Sequence, residues 1–374
     1  LYLVIVTATL ACVFIATWWH VSWRVYKYSP EETLPVHDID ITVSVIICAR
    51  NEEDHIAECI ASIVPQLSKI DELIIVDDHS TDRTCEIIDA MSMPQVKLIS
   101  LPSTLSGKKA AVAQAISHAR HEIILQTDAD CRVSSRWIER WKAIVTNERH
   151  VLHFGTVQLA PTRNLLEIYQ SMDLSSLMKI QSYVVDTWQV PLGNAANCAI
   201  DLRETIGSSS VDGRAIYTGY IADNHGSQQR SGDDIFFAEY VLRSGGTLGY
   251  HASSSLAVTT APEISWKALL GQRMRWAEKS HAYRSWKLQL LSYGVAGYYL
   301  FCLLLTVTTP WYYPLGLIAL ALWMSLYLSN VLQMHRTHTM QEIAYYTVMH
   351  VMITVGSGSL AILGIRAAWK GRRD

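Results

Sequence analysis

The sequence predicts an α/β fold, a Rossmann-like and mostly parallel sheet with helices on both faces, flanked by transmembrane helices at both ends. Three observations predict it. Uncharged apolar runs long enough to cross a bilayer lie toward the two ends of the 374-residue chain. Between them, short Ile- and Val-rich runs alternate with stretches whose apolar residues recur at helical spacing. Polar clusters fall just after the strand-like runs, at the strand ends where open parallel sheets bind their ligands.

The elements follow in order. Residues 1–19, LYLVIVTATLACVFIATWW, carry no charge. At about 1.5 Å per residue they nearly span a bilayer core. Neither a basic start nor a small-residue cleavage site marks them as a signal peptide. Arg24 and Lys27 follow closely and place that end in the cytoplasm. ITVSVIIC (41–48), ELIIVDD (72–78), VKLIS (96–100) and EIILQTD (122–128) read as strands. EDHIAECIASIV (53–64) and KKAAVAQAISHA (108–119) read as helices, and IFFAEYVLRSGG (235–246) as an amphipathic helix ended by glycines. A basic, tryptophan-containing helical stretch over 264–288 suits an interfacial helix on anionic lipid.

Three apolar stretches close the chain, 291–309, 312–332 and about 343–365, the first two joined by a turn at Pro310-Trp311. The third holds Gln341, Glu342 and His350 at its start, and Gly356, Ser357 and Gly358 later. The basic tail (Arg366, Lys370, Arg372, Arg373) is expected in the cytoplasm, whereas four crossings from a cytoplasmic centre put it outside. The expectation adopted is four crossings, with a re-entrant or interfacial last stretch as the alternative. The resulting division is an N-terminal transmembrane helix (1–22), a catalytic domain (40–262), an interfacial helix (263–289) and a C-terminal membrane region (290–374).

Half the residues are hydrophobic and 17% are charged, as in a membrane protein with a soluble centre. A net charge of −3 gives no reason to expect nucleic acid as a partner. Seven cysteines, none in C-x-x-C spacing, read as reduced thiols rather than a zinc or redox site.

Four polar clusters carry the chemistry. Asp128-Ala129-Asp130 follows a strand, where two carboxylates can hold a divalent cation together with nucleotide phosphates. Alone, such a pair serves equally well as helix caps. Asp77-Asp78, in VDDHSTD, sits at another strand end, where a carboxylate can accept from a uracil N–H; Ser80 or Thr81 is expected to cap the next helix. Gly107-Lys108 opens a helix and suits a diphosphate, although the P-loop spacing is absent. In Gly232-Asp233-Asp234, Asp234 is assigned as general base for an acceptor hydroxyl and Asp233 as the group that orients it. Gln272-Arg273-Met274-Arg275-Trp276 lies on the basic helix, where an arginine can neutralise a leaving diphosphate.

The order VDDHSTD, DAD, GDD, QRMRW resembles the membrane-bound, inverting family-2 glycosyltransferases, which include cellulose, hyaluronan and poly-N-acetylglucosamine synthases and ceramide glucosyltransferase. The resemblance covers roughly residues 40–290. It implies a GT-A fold and a UDP-sugar donor, with Asp77 or Asp78 on uridine and Ala49, Asn51 and Glu52 lining the same pocket. It also implies diphosphate and Mg2+ or Mn2+ on Asp128 and Asp130, and Asp234 as base. Gln272, Arg273, Arg275 and Trp276 would lie near diphosphate and acceptor, and Gly193 and Asn197 would flank the acceptor pocket. Asp233 stands where the family has Glu.

The expected reaction is a single in-line displacement that inverts an α-linked donor to a β-linked product. The expected acceptor is a lipid or lipid-linked glycan at the cytoplasmic face of a bacterial inner membrane. Processive polysaccharide synthesis is the alternative. A nucleotidyltransferase lacks its expected Gly-rich signature here, and a catalytically dead scaffold has little reason to keep every acid.

Overall fold

The computed structural model describes residues 2–27, 41–160, 164–203, 212–223, 232–308, 313–334 and 338–362. The expected turn at Pro310-Trp311 and the basic tail lie outside the described residues. In chain order, α1 (Tyr2–Lys27) precedes β1 (Val43–Ala49), α2 (Ile56–Ile63), β2 (Glu72–Asp77), α3 (Thr84–Ala90), β3 (Val96–Ser100) and α4 (Lys108–His118). Then come β4 (Ile123–Asp128), β5 (Cys131–Val133), α5 (Trp137–Asn147), β6 (Leu152–Gly155), β7 (Val157–Leu159), α6 (Leu165–Trp188) and β8 (Asn197–Asp201). The remainder is α7 (Gly213–Ala222), α8 (Asp233–Arg243), β9 (Leu248–His251), β10 (Val258–Thr260), α9 (Trp266–Glu278), α10 (Trp286–Thr308), α11 (Tyr313–Met334) and α12 (Met340–Ile362).

These elements form two compact units. One comprises Pro30–Ala160 and Val184–Ala261. It holds a seven-stranded sheet in the order β3-β2-β1-β4-β8-β6-β9 and a three-stranded sheet β5-β10-β7. β1 pairs in parallel with β2 and β4, whereas β8 runs antiparallel to both β4 and β6. The strands β1 and β2 are buried almost throughout, which is why their sequences are continuous Val/Ile runs rather than alternating ones. Parallel register puts Ala49 beside Asp77, and Cys48 beside Asp128, so three strands deliver their last residues to one edge. Two glycines then fix where helices begin. Gly107 (φ +96°) and Gly232 (φ +102°) occupy left-handed backbone immediately before α4 and α8, a conformation other residues reach only at a cost.

The other unit comprises Leu1–Ser29, Pro161–Tyr183 and Pro262–Asp374. The expected 40–262 domain is therefore interrupted. Tyr169 and Met172 of α6 are buried with Leu269 of α9 and Ile343 and Tyr346 of α12, which draws this part of α6 to the apolar helices. A second core joins Ala11 of α1 to Tyr298, Cys302, Leu322 and Leu326 of α10 and α11. Within it the buried hydroxyls of Ser22 and Ser329 share a 2.7 Å hydrogen bond.

Among the described residues three helices, not the expected four, are long and apolar enough to cross a membrane: Ile5–Lys27, Trp286–Thr308 and Leu315–Leu332. α12 falls short because Gln341, Glu342, His350 and a Gly/Ser run dilute its apolar character. The interfacial helix is also shorter than expected. Ser265 caps α9 by accepting from the Ala268 amide, and the helix ends at Glu278. Extended backbone at Tyr283 intervenes before α10 starts. The cap expected at Ser80 or Thr81 falls later, since α3 opens at Thr84 with Asp82 accepting from its amide.

Candidate active site

The acids at the strand ends converge on one thiol. Cys48 is half-buried and its pKa is pushed up to about 12, first by desolvation and then by Asp128, Asp233 and Asp78, while Lys108 opposes them. Lys108, first residue of α4, reaches Asp128 with Nζ 2.5 Å from Oδ1. Burial alone would lower the Lys108 pKa, but Asp128 and then Asp234 outweigh it and raise it above the usual lysine value. Asp128 therefore shares one electrostatic neighbourhood with Lys108, Asp78 and the Asp233-Asp234 pair.

Asp130 marks a second flank, at the thiols of Cys59 and Cys131. The buried thiols of Cys59 and Cys131 are raised by burial and then by Asp130 and Asp128, with Glu52 also acting on Cys59. Asp128 thus belongs to both flanks.

Loops after β1 and β2 are tied to each other. Asn51, in left-handed backbone (φ +53°) that asparagine tolerates, donates its amide to Ser80 Oγ and accepts from the Thr81 amide through Oδ1. The Glu52 amide donates to Thr84 Oγ1, and the Ala49 carbonyl accepts from the Asp78 amide. Asp77 accepts from the Ser80 amide with both oxygens, at 3.2 Å each. Asp78 accepts from the Gly107 amide at 3.1 Å and lies 3.7 Å from Arg50. The two aspartates thus brace different loops: Asp77 the one after β2, and Asp78 the approach to α4.

Asp234 sits in the first turn of α8, its Oδ1 accepting from the Ile235 amide (2.9 Å) and its Oδ2 from the Ala195 amide (3.3 Å). Tyr220 of α7 donates to the Asp233 carbonyl at 3.3 Å. Lys109 lies 4.2 Å from the centre of the Tyr220 ring and donates to the Asp223 carbonyl. Consecutive lysines of α4 thereby serve different partners, Lys108 the β4 end and Lys109 the α7 end.

Two residues expected at the acceptor pocket are placed elsewhere. Asn197 is fully buried. Its side chain accepts from Trp137 Nε1 (2.8 Å) and donates to the carbonyls of Thr156 and Leu256, so it is a core cross-link that cannot reach an acceptor. Gly193 is packed against Phe154, and a Cβ there would lie 2.1 Å from the ring, so its role is close packing. Ala195, two residues on, is the one that touches Asp234.

Gln272, Arg273, Arg275 and Trp276 belong to the other unit, on α9. Arg273 is engaged within its own unit. It pairs with the buried Asp173 of α6 and stacks over Trp276, 4.0 Å from the ring centre. His350 of α12 lies 2.9 Å from the same carboxylate. Burial pushes the Asp173 pKa up, but Arg273 and His350 hold it down to about 2. Gln272 donates to Glu263 at 3.1 Å. Burial lowers the Arg275 pKa, opposed by Glu263 and Glu278. Sequence reasoning missed Asp173, His350, Lys109 and Tyr220. Of these only Lys109 carried a signal, as the neighbour of Lys108.

The residues fit a hard divalent cation brought in with phosphates. Asp128 and Asp130 offer only carboxylate oxygens, and the neighbouring thiols are held protonated by burial. Among the described residues no group of three or more His, Cys, Asp or Glu side chains is placed to hold an ion by itself. Two carboxylates completed by substrate phosphates are the usual provision for Mg2+.

Residues 44–193 match the family described as Glycosyl transferase family 2. A beta-monoglucosyldiacylglycerol synthase of Synechocystis sp. is 33% identical over 132 residues, covering 31% of this chain and 27% of that protein. A dolichyl-phosphate beta-glucosyltransferase of Trichomonas vaginalis is 32% identical over 116 residues, covering 27% of this chain and 34% of that one. The match spans about a third or less of these curated relatives. Among solved structures, the mannosyltransferase PcManGT of Pyrobaculum calidifontis, in complex with GDP-Man and Mn2+, aligns with a TM-score of 0.54. It is 17% identical and covers 98% of this chain and 100% of that one, a likeness of fold.

Proposed function

The chain carries a glycosyl transferase family 2 domain on a GT-A fold, and from that premise we propose that it transfers a sugar, with inversion, from a UDP-sugar to a lipid or lipid-linked acceptor at the cytoplasmic face of a membrane. The observation that carries the reading is the pairing of Lys108, at the start of α4, with Asp128 at the end of β4 (2.5 Å), beside Asp78, which accepts from the Gly107 amide at 3.1 Å. The names of the relatives, which concern a diacylglycerol lipid and dolichyl phosphate, and the three apolar helices support a lipid acceptor.

In this reading Asn51, Glu52 and Ala49 line the nucleoside pocket with Asp77 or Asp78. Lys108 binds diphosphate at the start of α4, where free amide groups add to its charge. Asp128 and Asp130 would hold Mg2+ or Mn2+, which would supply charge neutralisation for a diphosphate leaving group. Asp234, its carboxylate aimed by two amides, takes the proton from the acceptor hydroxyl, and Asp233 orients it. Gln272, Arg275 and Trp276 remain in the proposal on the motif resemblance alone.

The test is nucleotide release from a panel of UDP- and GDP-sugars by the purified chain in lipid, with and without chelator. Asp234→Asn is expected to lower turnover by roughly 100-fold or more while nucleotide binding persists. Normal turnover by that variant removes Asp234 from the role. Full activity in chelator removes Asp128 and Asp130 as metal ligands.

A further inference from the structure

In the unit that holds the apolar segments, three helices meet at one buried acid. Asp173 of α6 pairs with Arg273 of α9, and Nδ1 of His350 on α12 lies 2.9 Å from its Oδ1. The Tyr346 hydroxyl, one turn before His350 on α12, donates a hydrogen bond to the same carboxylate. The His350 ring is itself held, stacked on Tyr346 with centroids 5.1 Å apart and edge-on to Tyr299 of α10 at 5.4 Å. The carboxylate is thus gripped from two helices besides its own.

A buried ion pair is a poor source of stability. Desolvating both charges costs about as much as their attraction returns, and apolar side chains of similar size often stabilise as well or better. Nor do these helices need the pair to stay together. Tyr169 and Met172 of α6, Leu269 of α9 and Ile343 and Tyr346 of α12 already share an apolar core. What the pair adds is orientation. A guanidinium is flat: its edge meets a carboxylate through N–H groups, and its face stacks on an aromatic ring. Arg273 uses both. Its Nη2 goes to Asp173, and the group lies over Trp276, three residues on along the same face of α9, 4.0 Å from the ring centre. Trp276 is only half-buried, so packing alone leaves its ring freedom that the guanidinium removes. Gln272 is tied to Glu263 instead. We propose that Asp173 is a positioning residue for the α9 motif, acting through Arg273 to set the ring of Trp276, with His350 and Tyr346 completing the contacts of the carboxylate. The inference rests on the reading that Trp276 serves glycosyl transfer.

The test separates orientation from adhesion. It uses the full chain in lipid, labelled with fluorotryptophan, in which the fluorine resonance of Trp276 is the one lost in Trp276→Phe. Asp173→Leu combined with Arg273→Met replaces the ion pair by apolar side chains. The thermal midpoint of this double variant is expected to stay within a few degrees of wild type. Its Trp276 resonance is expected to move and broaden as the ring loses its cover. Turnover of the nucleotide-sugar that the wild type uses best is expected to fall roughly tenfold, because small misplacements of a positioned group are costly in rate. An unmoved resonance overturns the proposal, as does a moved one with wild-type turnover, or turnover lost only in step with the folded fraction. Where the double variant does not fold, Arg273→Lys decides. It keeps both charges and the pairing with Asp173 but has no flat face to lay on the indole. A displaced resonance with reduced turnover supports the proposal, and an unchanged spectrum or unchanged turnover ends it. Failure of the glycosyltransfer reading is separable: the wild-type chain then turns over no nucleotide-sugar, while the Trp276 resonance still responds to Arg273→Lys.

Discussion

Asp128 is the acid whose charge reaches each thiol of the site, Cys48, Cys59, Cys131 and Cys198. That makes it the common element of the Lys108 flank and the Asp130 flank. The adjacent aspartates of β2 divide their work in a way that can be tested. Asp78 braces Gly107, the residue before Lys108, whereas Asp77 belongs to the loop that Ser80 and Asn51 tie together. Asp78→Asn is expected to slow transfer through a displaced Lys108 and to leave the preference for UDP over GDP intact. Asp77→Asn is expected to reduce that preference by roughly 10- to 100-fold, because a site that hydrogen-bonds a base discriminates strongly only while its polar groups are matched. Titration calorimetry with UDP and GDP checks both, and the reversed pattern would exchange the two assignments. These positions were legible because strand-end acids interrupt apolar runs. Asn197, placed near the acceptor pocket only by the family resemblance, had no such signal in its own surroundings, and the bonds it accepts from Trp137 and Trp141 are visible only in the packed core. Tyr220 left no trace, since one aromatic residue in an amphipathic helix looks like core.

At the scale of elements, the parallel strands and their helices were readable from period and composition, while the β6–β9 edge was not. There His153 and His251 face each other across the strands, with Nδ1 and Nε2 3.0 Å apart. His153 is held well below the usual histidine value by burial, then by His251, His150 and Arg203. His251 is lowered to about 4 by burial, opposed by Glu148 and reinforced by His150. Both rings are thus neutral in the folded chain and take protons more readily when unfolded. Their contribution to stability is complete above the unfolded value of about 6.5 and is lost as pH falls from there toward about 4. Thermal melts in lipid are expected to be flat from pH 7 to 8 and to drop through that window, by a few kcal/mol in all. His251→Gln should flatten the fall while other acid-sensitive groups, such as Asp173, act only at lower pH. An equally steep fall in that variant would show that the pair is not responsible.

At the scale of the whole molecule, the conflict between hydropathy and charge dissolves once α12 is removed from the crossings. By the positive-inside rule, Arg24 and Lys27 in the last turn of α1 predict that its C-terminal end faces the cytoplasm. With α10 and α11 as two further crossings, the same rule predicts that α12 starts on the cytoplasmic side. α12 instead carries His350 to the buried Asp173–Arg273 pair, contacts better made outside hydrocarbon, where the cost of desolvating charge is lower. On that prediction the basic residues Arg366, Lys370, Arg372 and Arg373 are expected in the cytoplasm as well. The expected outcome is a chain that resists carbonate extraction from membranes. A tag after Asp374 and the segment 41–262 should both be shielded from protease in intact cells and cut only after the membrane is opened. A tag cleaved from outside intact cells would restore a fourth crossing through α12 and reopen the conflict. Release by carbonate would remove the membrane reading of α1, α10 and α11 altogether, because three apolar helices of this length do not leave a bilayer with a change of pH.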